Sequence, residues 1–347
     1  MKHTTAEAQR HRDIKAHHKD TKAQQFSFSL CLCASVPLRL YSLRKVMGRT
    51  AFLFILLTIT SQAYAETGAE VLRFPIGARA NGMAGAQAAV ANGIDAICCN
   101  PACLAKCWYR EAIFSCIDGP MDTSVSSILY GQPTQKGYLA GGLTCLNGGK
   151  SPIYWKNGTV EDIHCQSDWV AIMAYGHQIT ENGCMGYGLK IITSKLAERE
   201  TAVGCGLDMG WLYRKGKFSA AMAVANAGIG LKYQKKRDNL PLCLRFGMAG
   251  EVYARKSNSL LLTGDLVKYK NEDLGLVAGL EYNYANILFL RTGHKTPDND
   301  YTLGLGGRVG SCQLDYAYCP LENLGSAHRI SLRVRLPITS GRSQLQK

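Results

Sequence analysis

From Arg110 to Leu336 the chain is a succession of short segments in which apolar residues alternate with polar or small ones, separated by turn residues. Thr123 to Gln132 reads TSVSSILYGQ, Asp168 to Gly176 reads DWVAIMAYG and Met185 to Ser194 reads MGYGLKIITS. Thr201 to Tyr213 carries Val203, Cys205, Leu207, Met209 and Trp211 on one face. A period of two is the signature of a strand with two different faces. Counting weaker segments, the pattern predicts about 14 strands (13 to 15) of ~9–10 residues, the length an outer-membrane strand needs to cross a tilted apolar band of ~25 Å. No segment after residue 65 approaches the ~18 unbroken apolar residues of a membrane helix. If such a chain enters a bilayer, it does so as a closed barrel, because lipid offers no partner to a bare backbone group. A soluble all-β sandwich or barrel shares the same period.

The upstream sequence favours the membrane. Arg44, Lys45 and Arg49 precede the apolar run AFLFILLTI, Ala51 to Ile59, and Ser61-Gln62-Ala63-Tyr64-Ala65 follows. A charged start, a short apolar run and an A-x-A site make a signal peptide; a buried core helix is the alternative. Met47 stands where such a signal should begin. The expected organisation is therefore a non-native upstream extension at 1–46, a signal peptide at 47–65, an Ala- and Gly-rich plug-like segment at 66–109, the barrel at 110–336 and a disordered tail at 337–347. N-terminal sequencing of the unprocessed product tests the start. Half of the formal net charge of +14 falls in residues 1–65, and no run of five basic residues occurs. Nucleic acid is thus not an expected partner.

Edges dictate closure. The last alternating segment, His328 to Leu336, is expected to pair with the first, near Arg110 to Ile117, so that no edge meets lipid. Ile330, Leu332, Val334 and Leu336 should face lipid, with Ser331, Arg333 and Arg335 toward the lumen. Tyr130, Tyr138, Trp169, Tyr213, Tyr269 and Tyr284, near strand ends, suit interfacial girdles.

Val71 to Ala105 reads VLRFPIGARANGMAGAQAAVANGIDAICCNPACLA. The residues Gly77, Arg79, Ala80, Gly82, Met83, Gly85, Ala86, Asn100, Pro101, Ala102 and Leu104 match the N-terminal signature of the PorV/PorQ family, which is similar to FadL-type fatty-acid transporters. Leu314 to Leu336 resembles that family's closing two strands. Ala84 replaces a family glycine, Cys98 and Cys99 an aromatic pair, and Cys103 another glycine. The resemblance implies an all-β transmembrane antiparallel barrel with an N-terminal irregular and helical plug inside it, in a bacterial outer membrane. Gly77, Arg79, Gly82, Met83, Gly85, Asn100 and Pro101 are then its structural plug residues, with Asp95 a candidate partner for Arg79. It also implies a role in protein secretion, with secretion-system components or exported cargo as partners. The alternative is transport of hydrophobic small molecules such as fatty acids, with a hydrophobic ligand. Outer-membrane lipid surrounds the barrel in either case.

Chemistry-bearing patterns are sparse. His164 and His177 lack ligand-spaced neighbours, and Gly304, Gly306 and Gly307 complete no phosphate loop. Asp265 and Glu281 are single acids on different strands. No GxSxG or similar motif occurs, so neither a catalytic residue nor a cofactor is expected. A lipid-acting barrel enzyme would need a Ser/His pair that the sequence does not suggest. Twelve cysteines follow residue 65. They read as unpaired small apolar filler, with a soft-metal site at Cys99, Cys103 and Cys107 as the alternative.

Overall fold

The structure, a computed structural model, describes residues 68–336 apart from 91–92, 156–157, 235, 297–298 and 322–324. The expected upstream extension (1–46), signal peptide (47–65) and tail (337–347) lie outside the described residues. In chain order the strands are β1 (Arg110–Asp118), β2 (Thr123–Pro133), β3 (Gly137–Gly148), β4 (Lys150–Tyr154), β5 (Val160–His164), β6 (Gln166–Gln178), β7 (Gly183–Leu196), β8 (Glu200–Lys215) and β9 (Phe218–Ile229). They continue as β10 (Leu231–Tyr233), β11 (Lys236–Asp238), β12 (Cys243–Arg255), β13 (Asn258–Tyr269), β14 (Leu274–Tyr284), β15 (Leu288–Lys295), β16 (Asp300–Val309), β17 (Cys312–Leu321) and β18 (Gly325–Leu336). The pairs β4–β5 and β10–β11 are separate two-stranded hairpins, and the other fourteen strands close into one antiparallel barrel.

Closure runs through β1 and β18 in continuous register, from Arg110 opposite Leu336 to Asp118 opposite His328. Alternation then sorts each strand's side chains. On β8, Val203, Leu207 and Met209 are exposed outward, while Ala202 and Asp208 are buried inward. On β18, Ile330, Leu332 and Leu336 are exposed, and Ser331 and Arg333 are buried. A surface this apolar on its outside and this charged within is the inverse of a soluble domain, and it matches a wall that faces lipid.

At the end where β1 begins and β18 finishes, turns such as 216–217, 256–257 and 310–311 are short. The opposite end carries the long connections 149–165 and 230–242, which hold the two hairpins. Short turns mark the periplasmic end of an outer-membrane barrel and long loops its outer end.

Two of the girdle residues face inward instead. Tyr138 is 1% exposed, and its hydroxyl donates to the Tyr109 carbonyl at 2.8 Å. Tyr269 lies under the Arg73 guanidinium, 4.4 Å from the ring centroid. Position near a strand end says nothing of which face a ring takes; parity decides that, and both rings meet plug atoms. Tyr130, Trp169 and Tyr284 do stand on the outside.

Leu332→Arg should block assembly, since a basic side chain at the lipid midplane costs about 2–4 kcal/mol. Heat-modifiable migration of the folded barrel reads this. Ser331, although lumenal, offers an arginine no room: its Oγ accepts the Ala78 N–H at 3.0 Å.

Candidate functional site

The described residues of 68–109 form no membrane strand. They fold as short helical turns at Glu70–Arg73, Ala78–Asn81, Ile94–Cys98 and Pro101–Lys106, and most of their side chains are buried inside the barrel. The segment threads the lumen lengthwise. Its start pairs with the outer connection, Gly68 N–H to Asn239 O at 2.9 Å, and Arg73 bridges to Glu272 at 2.7 Å in the outer 270–273 turn. Its end leads into β1 at the periplasmic end.

Gly77 and Gly85 both take φ of +87°, a backbone region glycine enters freely. Ala84, where the resembled family has glycine, takes φ of +52°; its N–H donates to Thr302 Oγ1 at 3.0 Å, which holds the turn against the wall. Asn100 is extended, at φ −153° and ψ 101°, and caps the following turn by accepting from Ala102 N–H. Pro101 sits at the first helical position, where its missing N–H costs nothing. The Asn100 amide also donates to Ala88 O at 2.8 Å and Trp211 O at 3.3 Å.

The wall receives these turns on glycines. A Cβ on Gly186 would overlap the Pro101 carbonyl carbon and Ala102 nitrogen, and one on Gly176 would lie 2.8 Å from Pro101 O and Ala105 N. Across the lumen, a Cβ on Gly293 would strike the Met83–Ala84 peptide, one on Gly279 would lie 2.7 Å from Met83 Cβ, and one on Gly304 3.0 Å from Gly82 Cα. The glycine-rich texture of the strands thus has a specific use: two rows of missing side chains let plug backbone lie against wall backbone.

Charges fix the plug on one side. Arg79 is 4% exposed and forks onto Glu281, with Nε to Oε2 at 2.8 Å and Nη2 to Oε1 at 2.9 Å. The expected Arg79–Asp95 pair does not form; Asp95 bridges to Arg333 on β18 at 3.0 Å instead. Asp95 lies among residues 94–98, on the next helical turn, and that turn faces β1 and β2 rather than β14. Glu281 also takes Arg291 at 2.6 Å, and Arg291 reaches Asp315 at 2.8 Å. Glu111 on β1 accepts Arg333 at 3.3 Å, Arg335 at 3.0 Å and the Ile94 N–H at 3.0 Å. Asp265 accepts the Gln87 and Ala88 N–H groups, each at 2.9 Å. Burial by itself pushes the Asp95 carboxyl up, but Arg333 and Arg79 beside it outweigh that and hold it below the ordinary carboxylate range. Its stabilisation is present above the unfolded value of ~3.9 and is lost only as pH falls through the depressed folded value.

Apolar clusters fill other parts of the interior. Toward the outer end, Ala69, Val71, Leu72 and Phe74 pack with wall residues such as Ile117, Val170 and Ile192 and with Leu231 and Leu240 from the 230–242 connection. Beside β1, β2, β3 and β6, the plug residues Ile94, Ile97 and Leu104 meet Ile113, Leu129 and Ile172.

The twelve cysteines are free. Cys103 donates to Ala88 O at 3.3 Å and Cys99 to Gln87 Oε1 at 3.9 Å. Among the described residues no three His, Cys, Asp or Glu side chains cluster as metal ligands. Burial pushes the Cys98 and Cys107 thiols up to about 12. Iodoacetamide at pH 8 should therefore modify exposed Cys165 promptly and leave Cys98 and Cys107 protected until the plug is unfolded. Mass-spectrometric peptide mapping distinguishes them, and rapid labelling of Cys98 in the folded barrel would contradict it.

Such an arrangement, a lipid-facing barrel corked by its own N-terminal segment, defines a plugged outer-membrane barrel. Solved structures place it further. The fold is similar to the toluene transporter TbuX of Ralstonia pickettii, at 14% identity and TM-score 0.57 over 75% of this chain and 98% of that one. It is similar also to the CymD monoaromatic hydrocarbon channel, at 13% identity and TM-score 0.50 over 75% of this chain and 96% of that one. A Pseudomonas aeruginosa FadL homologue matches at 13% identity and TM-score 0.50, over 75% and 97%. No protein-family model matches the sequence, and no curated protein matches it. The chain is a bacterial outer-membrane β-barrel with a FadL-like fold. These neighbours are channels and transporters, not enzymes.

Proposed function

We propose that this barrel admits small hydrophobic molecules across the outer membrane. The observation that carries the reading is an apolar cluster in the outer half of the lumen, where Val71, Leu72 and Phe74 of the plug occupy a site walled by Ile117, Ile192, Leu231 and Leu240. A segment of the chain itself fills the place an apolar ligand would take, and displacing it would open that place from outside. The named activities of TbuX and CymD, a toluene transporter and a monoaromatic hydrocarbon channel, support the same class of cargo. The test is uptake of toluene and of a labelled fatty acid by a bacterial host lacking its own hydrophobic-uptake barrel. Expression should raise uptake of at least one, and Leu240→Arg should abolish the gain while leaving the folded barrel intact. Uptake equal to that of the empty host for both would overturn the reading. The secretion role rests on the N-terminal motif, whose residues Gly77, Gly82, Gly85 and Asn100 shape the plug. Crosslinking of exported cargo to the barrel, with no hydrophobic uptake, would favour it.

A further inference from the structure

The plug does not fill the barrel completely. At the periplasmic end a cavity of about 380 Å³ remains between plug and wall, within the ~300–1,000 Å³ range of small-molecule sites. Its lining is unusually basic. Lys106 from the plug and Arg214, Lys217 and Arg308 from the wall border it. Three acids border it too, but two are already taken. Glu111 holds Arg333 and Arg335, and Glu281 holds Arg79 and Arg291. Glu251 alone is left against four cations.

Arg308 stands out among them. It is half-buried, and no described carboxylate forms an ion pair with it. Its Nε donates to the neutral Gln313 Oε1 at 3.0 Å, and Gln313 is oriented by donating its amide to Asp315 at 2.9 Å. Its guanidinium lies over the Phe289 ring, 4.8 Å from the centroid. Arg335 is close by on the same lining. A partly buried guanidinium without a carboxylate, lying over an aromatic ring and surrounded by like charge, is costly unless an anion completes it. Exposed Trp108 and Tyr109 at the rim supply apolar surface.

The geometry points to this vestibule as a binding site for an oxyanion, carboxylate or phosphate, carried by a small organic molecule or by a lipid headgroup of the periplasmic leaflet, with Arg308 as its chief ligand. Arg308 offers a planar fork that matches such a group, and Lys106, Arg214 and Lys217 draw the anion to the mouth. The inference is independent of hydrophobic uptake, since it concerns the opposite end of the lumen and different residues.

The experiment is calorimetric titration of the purified barrel, in neutral detergent at low salt, with benzoate and with inorganic phosphate. One saturable site is expected for at least one probe. Arg308→Gln should weaken it at least tenfold and Lys217→Gln two- to threefold, whereas Lys268→Gln at the outer end should leave it unchanged. Heat-modifiable migration checks that each variant is folded; if Arg308→Gln fails to assemble, Lys106→Gln in the plug carries the same test. Repeating the titration in phosphatidylglycerol and phosphatidylcholine nanodiscs separates the two sources. Competition by phosphatidylglycerol alone assigns the site to a headgroup, and equal binding in both assigns it to a free anion. Absence of saturable binding of either probe in detergent, or equal affinity in the Arg308→Gln barrel, would overturn the proposal.

Discussion

Glu281→Gln is expected to loosen the plug and destabilise the whole molecule by about 3–5 kcal/mol, the usual cost of removing one partner from a buried ion pair. Glu281 is 6% exposed and is the shared acceptor of Arg79 from the plug and Arg291 from β15. Without its charge Arg291 keeps Asp315, but Arg79 loses its ion pair, keeps at most one amide-oxygen acceptor and stays buried. The loss should fall mainly on the plug, because the wall is held by its own ladders. Limited proteolysis should cut the variant between residues 68 and 109 under conditions that leave the parent whole, and urea unfolding should show the lower midpoint. Unchanged protease resistance and midpoint would mean that Arg79 is seated by packing alone. Arg79→Met, which removes the plug's charge rather than its partner, should be milder, since Glu281 keeps Arg291.

Gly186→Val should have an effect at least as large. Its Cβ would fall on plug backbone, where no side chain can swing away, so either strand β7 or the Pro101 turn must move. Ordinary overpacking costs about 1–3 kcal/mol, and a clash with backbone belongs at or above the top of that range. The expected readout is conductance: planar bilayers containing the variant should show open-pore events that the plugged parent lacks. Gly307→Val, on the lipid side where an added Cβ meets nothing within 4 Å, is the control and should behave as the parent. A closed Gly186→Val barrel would show that the plug seats without its glycine row.

The barrel was legible in the sequence because its rule is local. Alternation at residues such as Val203, Leu207 and Met209 reports the two faces of a strand without reference to any other strand, and an unpaired edge in lipid forces β18 onto β1. The two small hairpins were not legible: β4 and β5 are short, mostly exposed and show no alternation. The plug's location followed from its texture, but its contacts did not. Glu281 and Asp265 read as isolated acids because their partners, Arg79 and the Gln87 and Ala88 N–H groups, lie about two hundred residues away in the chain. One signal was available. Glu281, Arg291, Asp315 and Arg333 are charged residues on strands whose other face is apolar, so each had to point inward. A lumen holding both signs of charge implies ion pairs, although periodicity alone does not say which acid meets which base.

The seam of the barrel is also where the cork is tied. Arg333 on the last strand touches Glu111 on the first and Asp95 on the plug, and Glu111 in turn accepts the plug's Ile94 N–H. A cylinder that zipped shut before its stopper arrived would leave Arg333 with Glu111 but without Asp95, and Glu111 without the Ile94 N–H, at its own closing edge. The final join therefore doubles as an inspection point: an empty barrel closes less well than a filled one, and sealing the wall and stopping the pore become one cooperative event.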